Sequence, residues 1–341
     1  MSLVYVGTYA RNGGAGLYPL SRSTSGRWLV GTPYEDAQNA SFGTHSRRHE
    51  ITYLLDEQPH GALGAYRAAP DGWRQVARLA TRGDDPCYIA LNADETLLAV
   101  ANYGSGSIAL YRIDRATGLP IEPPAIEQHD GSGPNQERQE GPHAHCVCFR
   151  ADRLYVADLG SDHIFAYAVD PVRGTLGKRE IAFTGFAGSG PRHLVFHPTL
   201  PRALVVSEMA STLTQLRIVE GQLIAEQTIS TLPDAFAGDN LAGHLALNGA
   251  GDRVYVTNRG HDSIAVFAWA NDGMVKLRQH VSSGGASPRA FVLLSEEAEL
   301  LVANEEAGTV SVFDVSDDGR LSQVKTCISV PGAAFLLESP T

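Results

Sequence analysis

Cysteine, charge and long apolar runs are all scarce in this chain. Its 341 residues include 4 cysteines, Cys87, Cys146, Cys148 and Cys327, whose spacing fits neither a disulfide framework nor a zinc finger. Cys146 and Cys148 stand two apart on a predicted strand, so both point to one face as small apolar thiols. Charged residues make up 19% of the chain and the formal net charge is -11. A nucleic-acid partner is not expected, because phosphate backbones call for clustered Lys and Arg. A small anionic ligand is compatible, since a local group of arginines can sit inside an acidic protein. No run of about 18 apolar residues is present, so no membrane span is expected. The opening Met1-Ser2-Leu3-Val4-Tyr5-Val6-Gly7 has no basic stretch leading into a long apolar one. No secretory leader is expected there, and the expected location is cytoplasmic.

What the chain does have is 35 glycines and a hydrophobic fraction of 43%. That combination suits many short strands joined by tight turns. A repeat makes the reading specific. Pro86–Leu91 leads through a turn to Leu97–Asn102, and Gly104-Ser105-Gly106 turns the chain into Ser107–Arg112. The same plan returns at 143–168, 191–218, 242–268 and 288–315, with a degraded copy at 40–67. Anchoring each copy on the last residue of its second strand gives Glu57, Asn102, Asp158, Ser207, Asn258 and Asn304, spaced by 45, 56, 49, 51 and 46 residues. Each unit has three visible strands and room for a fourth, which is the period of a propeller blade.

Six copies leave both ends of the chain over. Gly332–Leu337 reads as a first strand, Leu3–Tyr9 as a second, Gly16–Leu20 as a third and Arg27–Val30 as a fourth. The prediction is an all-β, seven-bladed β-propeller spanning 1–341 as one domain. Its last blade is closed by N- and C-terminal strands, which removes open sheet edges.

In such a ring the start of strand one and the end of strand two share a rim. Aligning the copies there gathers His143, His145, Arg192, His193, Glu208, His244, Arg259, Arg289 and Glu305 around one mouth of the central channel. Histidines, arginines and carboxylates in one concavity suit anion binding and proton transfer. The recurring Asn102, Asp158, Asn258 and Asn304 read as turn-forming side chains instead. His193 and His244 align with Cys87 in this register, and they read equally as partners of a neighbouring blade's backbone. Glu208, Arg259 and Glu305 replace Tyr103 and Leu159 at the next position, where closure alone gives no reason for charge. Gly13–Gly16 leads into a strand and so forms no phosphate cradle, and there is no Gly-x-Ser-x-Gly elbow. The polar segment 127–141 is either an excursion or a lid beside the site.

Several segments resemble the seven-bladed propeller lactonase family, which includes propeller-type 6-phosphogluconolactonases and carboxy-cis,cis-muconate cyclising enzymes. They are VYVGTYA at 4–10, ANYGSGS at 101–107, RQEGPHAH at 138–145, VADLGSD at 156–162, GSGPRHLVFHP at 188–198, TNRGHDSIAVF at 257–267 and SPRAF at 287–291. The resemblance implies a site of one histidine, two arginines and a glutamate. These map to His143 or His145, to Arg192 and Arg259, and to Glu208; strand alignment favours His145. The first blade departs from the pattern, with Asn39-Ala40-Ser41-Phe42 and a second strand made unusually polar by Arg47-Arg48-His49.

The expected activity is hydrolysis of a sugar lactone, with a 6-phosphogluconolactone-like substrate first. The arginines would hold the anion and the developing oxyanion. His145 and Glu208 would divide the base and acid roles. His143, His193, His244, Arg289 and Glu305 would complete substrate binding. No cofactor or metal is expected, because arginines beside the carboxylates oppose a divalent cation. The alternatives are a lactonising muconate-type cycloisomerase and a non-catalytic binding propeller.

Overall fold

The computed structural model describes residues 2–69, 72–270, 273–294 and 298–339, so 295–297 of the sixth repeat lie outside the described residues. Seven antiparallel sheets follow one another round a ring. Blade 1 contains strands Gly43–Ser46, Ile51–Asp56, Ala62–Ala69 and Gly72–Ala80. Blade 2 contains Pro86–Leu91, Leu97–Asn102, Ser107–Ile113 and Pro120–Gln128. Blade 3 contains Ala144–Arg150, Arg153–Asp158, His163–Asp170 and Glu180–Thr184, with the short Thr175–Leu176 beside its third strand. Blades 4, 5 and 6 begin at Pro191–Phe196, Leu241–Leu247 and Pro288–Leu294. Blade 7 joins the C-terminal Ala333–Glu338 to the N-terminal Leu3–Thr8, Tyr18–Arg22 and Trp28–Val30, as expected.

The innermost strands touch in cyclic order, including Ala333–Glu338 against Gly43–Ser46, which closes the ring. Each second strand is sandwiched between neighbouring blades, so Leu97–Asn102 and Glu299–Asn304 are buried at every residue. This is why these strands read as continuous apolar runs. Fourth strands such as Gly72–Ala80 have one face to solvent and are mixed in polarity. The core is a set of layers between blades. Val4, Val6 and Leu20 of blade 7, for example, pack against Leu294, Leu301, Val310 and Val312 of blade 6. The recurring asparagines do structural work. Asn102 Nδ2 donates to Thr81 O at 3.3 Å and Asn258 Nδ2 to Thr231 O at 2.8 Å, fixing the connection that enters each blade. Among the described residues no helix is long and apolar enough to cross a membrane.

Three details of register differ from the sequence reading. First, strand two of blade 1 ends at Asp56, and Glu57 occupies the rim position after it. Second, Arg47, Arg48 and His49 form the turn before that strand, and Ile51–Asp56 is wholly buried. Third, a β-bulge recurs at the start of the inner strand. Pro86 pairs with Asn102 but Tyr88 with Ala101; Ala144 pairs with Asp158 but Cys146 with Ala157; Pro191 pairs with Ser207 but His193 with Val206. Pro288 and Ala290 repeat this against Asn304 and Ala303. The extra residue is Cys87, His145, Arg192 or Arg289. His145 therefore shares its position with Arg192 and Arg289, not with His193 and His244, and Cys87 belongs to the same set. A bulge turns its extra side chain out of the ladder. Here it delivers one side chain to the channel mouth from each of blades 2, 3, 4 and 6.

Candidate functional site

The rim position at the end of strand two contributes Tyr9, Glu57, Tyr103, Leu159, Glu208, Arg259 and Glu305, one from each blade; Arg259 still belongs to its strand and the others directly follow theirs. Together with the bulge residues, these form two charged groups at one mouth.

The first group centres on Glu208. Its Oε2 accepts from Arg192 Nε at 2.8 Å and from Arg259 Nη2 at 2.7 Å. Its Oε1 accepts from Arg138 Nη2 at 2.6 Å. Burial alone would raise the Glu208 pKa, but Arg259 and Arg192, with His145 and Arg138, hold the carboxyl well below the usual range. Glu208 is thus a fixed carboxylate and has no proton to give. Arg192 is buried, and its Nη1 donates to Gly243 O at 2.9 Å and to His193 Nε2 at 2.8 Å. Burial and the neighbouring Arg259 bring its pKa down to about 10. Three guanidinium groups against one carboxylate leave two positive charges in excess. Such an excess in a sheltered site favours an anion.

His145 faces this group. Its Nε2 lies 4.0 Å from Glu208 Oε2, a span that one water can bridge, and its Nδ1 lies 3.7 Å from Cys87 Sγ. Burial, and then Arg192, hold its pKa well below 6.5, so the ring is neutral near pH 7. A neutral imidazole beside a fixed carboxylate and arginines can take a proton from water. His143 lies further out. It stacks on Tyr103 with ring centroids 4.4 Å apart, its Nδ1 donates to Tyr103 O at 3.0 Å, and its Nε2 is 3.3 Å from Glu140 Oε1. Of the two histidines, His145 is the one brought to the arginines.

His193 and His244 lie one layer down the channel, with ring centroids 5.1 Å apart. The His193 Nδ1 and His244 Nδ1 are buried without hydrogen-bond partners. Because Arg192 donates to His193 Nε2, His193 supports that arginine from below. Phe42 and Phe291 close the space around His244.

The second group centres on Arg289. Its Nη1 donates to Glu305 Oε2 at 3.3 Å, its Nη2 is 3.6 Å from Glu57 Oε1, and its guanidinium lies 4.9 Å from the Tyr9 ring centre. Tyr9 Oη donates to Glu57 Oε2 at 2.7 Å. Arg11 and Asn12 reach Glu305 Oε1 at 3.0 and 3.1 Å. Burial would lower the Arg289 pKa, but Tyr9, Glu57 and Glu305 raise it overall. Arg289 and Glu305 are thus at the same mouth, bonded to each other and not to Glu208, although the charges of Glu208 and Arg259 still act on them.

Segment 127–141 folds over the first group. His129 Nδ1 and Asp158 Oδ2 form a fully buried hydrogen bond at 2.6 Å. Gln139 Nε2 donates to Asp162 Oδ1 and to Leu159 O, both at 2.9 Å. Arg138 reaches Glu208 from between these anchors. Arg138, Tyr9, Tyr103 and Glu57 were not among the residues singled out from the sequence. Arg138 lies outside the repeat, and Glu57 was hidden by the shift of one residue. Among the described residues no group of three or more His, Cys, Asp or Glu is placed to hold a metal ion.

Comparison with known proteins agrees with this architecture. Residues 3–337 match the family described as "Lactonase, 7-bladed beta-propeller". The chain is 31% identical over 339 residues to the 6-phosphogluconolactonase of Bacillus subtilis, covering 96% of this chain and 95% of that one. The fold is similar to a crystal structure of a Lactobacillus plantarum protein, with a TM-score of 0.92, 28% identity and complete coverage of both chains. It is also similar to the periplasmic gluconolactonase of Pseudomonas aeruginosa, with a TM-score of 0.90, 25% identity and 99% of each chain covered. The chain belongs to the seven-bladed β-propeller lactonase family.

Proposed function

We propose that the protein hydrolyses a sugar lactone that carries an anionic group, of the 6-phosphogluconolactone kind. The observation that carries this reading is a neutral His145 facing a buried group with two unbalanced arginine charges. The similarity to the Bacillus subtilis and Pseudomonas aeruginosa enzymes supports the choice of substrate class.

In this mechanism a water sits between His145 Nε2 and Glu208 Oε2, donating to both. His145 removes a proton as the water oxygen attacks the lactone carbonyl. Arg192 and Arg259 stabilise the oxyanion, and Glu208 keeps both guanidinium groups aimed. The C–O bond to the ring oxygen then breaks, the His145 imidazolium returns the proton to that oxygen, and a hydroxy acid leaves. Glu208 offsets the charge on the imidazolium while it exists. The carboxylates and Tyr9 of the second group suit hydroxyls of the sugar.

The test is turnover of 6-phosphogluconolactone and of unphosphorylated gluconolactone, corrected for spontaneous hydrolysis, with Arg192→Ala and His145→Ala as controls. Acceleration lost in both variants supports the reading. No acceleration over background sinks it and turns attention to cyclisation of an unsaturated dicarboxylate, for which the arginines are equally suited.

A further inference from the structure

The arginines on Glu208 are not equivalent. Arg192 and Arg259 come from strands and are also tied to backbone, Arg192 to Gly243 O and Arg259 to Ala242 O. Their side chains are 3% and 13% exposed. Arg138 comes from the loop and its side chain is 34% exposed; among the described residues its guanidinium has only the Tyr103 hydroxyl, at 3.3 Å, as a second hydrogen-bond partner. Among the described residues it alone hydrogen-bonds Glu208 Oε1, so its departure leaves both hydrogen bonds to Oε2 intact. Its backbone does not share this freedom. Gln139 is buried and bonded on both sides, and the His129–Asp158 pair holds the start of the loop. The result is a fixed post bearing a guanidinium that can turn.

We infer that Arg138 is the specificity-determining residue of the site: it leaves Glu208 for the outward anionic group of the substrate and so selects a phosphorylated lactone over a neutral one. This rests on the lactonase reading above. A guanidinium meets a phosphate through two parallel hydrogen bonds, which a neutral sugar cannot return. Tyr103 Oη lies beside it as a further donor. Exchanging Glu208 for phosphate keeps Arg138 paired, and Glu208, which gives up the hydrogen bond at Oε1, keeps Arg192 and Arg259 on Oε2.

Two measurements test this. In the first, kcat/KM is measured for 6-phosphogluconolactone and gluconolactone with wild type, Arg138→Ala and Arg138→Lys. The ratio between the two substrates is expected to fall about 10- to 100-fold in Arg138→Ala, through KM, the loss of a hydrogen bond between charged groups. Arg138→Lys, which keeps the charge and loses the fork, is expected to fall between. In the second, calorimetry follows binding of inorganic phosphate to the same proteins. Weaker phosphate binding in both variants, in the same order, supports the inference even if the wild type proves inactive on both lactones. Equal loss on the two lactones, or phosphate binding unchanged by either variant, overturns it.

Discussion

The buried histidines make stability depend on pH, and His244 allows the size of the effect to be worked out. Burial, with Arg192 nearby, lowers its pKa to about 3. In the unfolded chain a histidine takes up a proton near pH 6.5. Between these two values the unfolded state binds more protons than the folded state, so stability falls as pH falls through that window. At pH 5 the gap from 6.5 is roughly 1.5 units, or about 2 kcal/mol at 1.36 kcal/mol per unit. Near pH 7.5 the contribution is close to zero. His145 and His193, whose pKa values are also well below 6.5, act in the same direction. The assay is urea unfolding of wild type and His244→Phe at pH 7.5 and pH 5.0. Phenylalanine suits a site already flanked by Phe42 and Phe291. Any repacking penalty, about 1–3 kcal/mol, applies at both pH values and cancels in the difference. The variant should lose about 2 kcal/mol less than wild type between the two pH values. Equal losses in both proteins would refute the idea that the His244 ring is held neutral.

Two further outcomes are expected. Lactone turnover, as kcat/KM, should stay level from pH 8 down through 6.5 and decline only in more acid solution, because the base must be neutral and its pKa lies below 6.5; a half-maximal point above 6.5 in the pH profile would exclude His145 as that base. Asp158→Ala should destabilise the protein by roughly 3 kcal/mol in denaturant titration, since it leaves His129 Nδ1 and the backbone N–H groups of His143 and Ser161 buried without their partner and weakens the anchor of the Arg138 loop; a loss under about 1 kcal/mol would show that the carboxylate does not secure the loop.

Much of the site was legible before the fold was known, and the exceptions have definite causes. Glu208 and Arg259 stand out because they put charge where other copies have Tyr103 and Leu159, and Arg192 because it opens an inner strand at the same rim. The choice between His143 and His145 could not be made from spacing. Strand alternation assigns faces only while the register is regular, and a bulge at Ala144–Cys146 shifts it by one. The same device placed Cys87 with the arginines and displaced His193 and His244 down the channel. Glu57 was missed for a similar reason, as the strand before it ends one residue early. Arg138 carries no periodic signal, since it sits on a connection that belongs to no repeat.

The architecture can be read from the order of residues alone. Apolar second strands, turn residues at a steady period and complementary ends allow little but a closed ring of blades. That order also pointed to Arg192, Glu208, Arg259, Arg289 and Glu305 as neighbours at one mouth, because the repeats present equivalent positions there, but not to Arg138 or Glu57. Only the tertiary structure decided how those groups are charged and shared. Glu208 is a permanent carboxylate because arginines from different blades and from a loop converge on it, although Arg138 lies 70 positions and Arg259 51 positions away along the chain. His145 is neutral because the folded ring buries it beside Arg192. Charge state is set by the distance and burial of groups remote in the chain, and those exist only once the ring has closed.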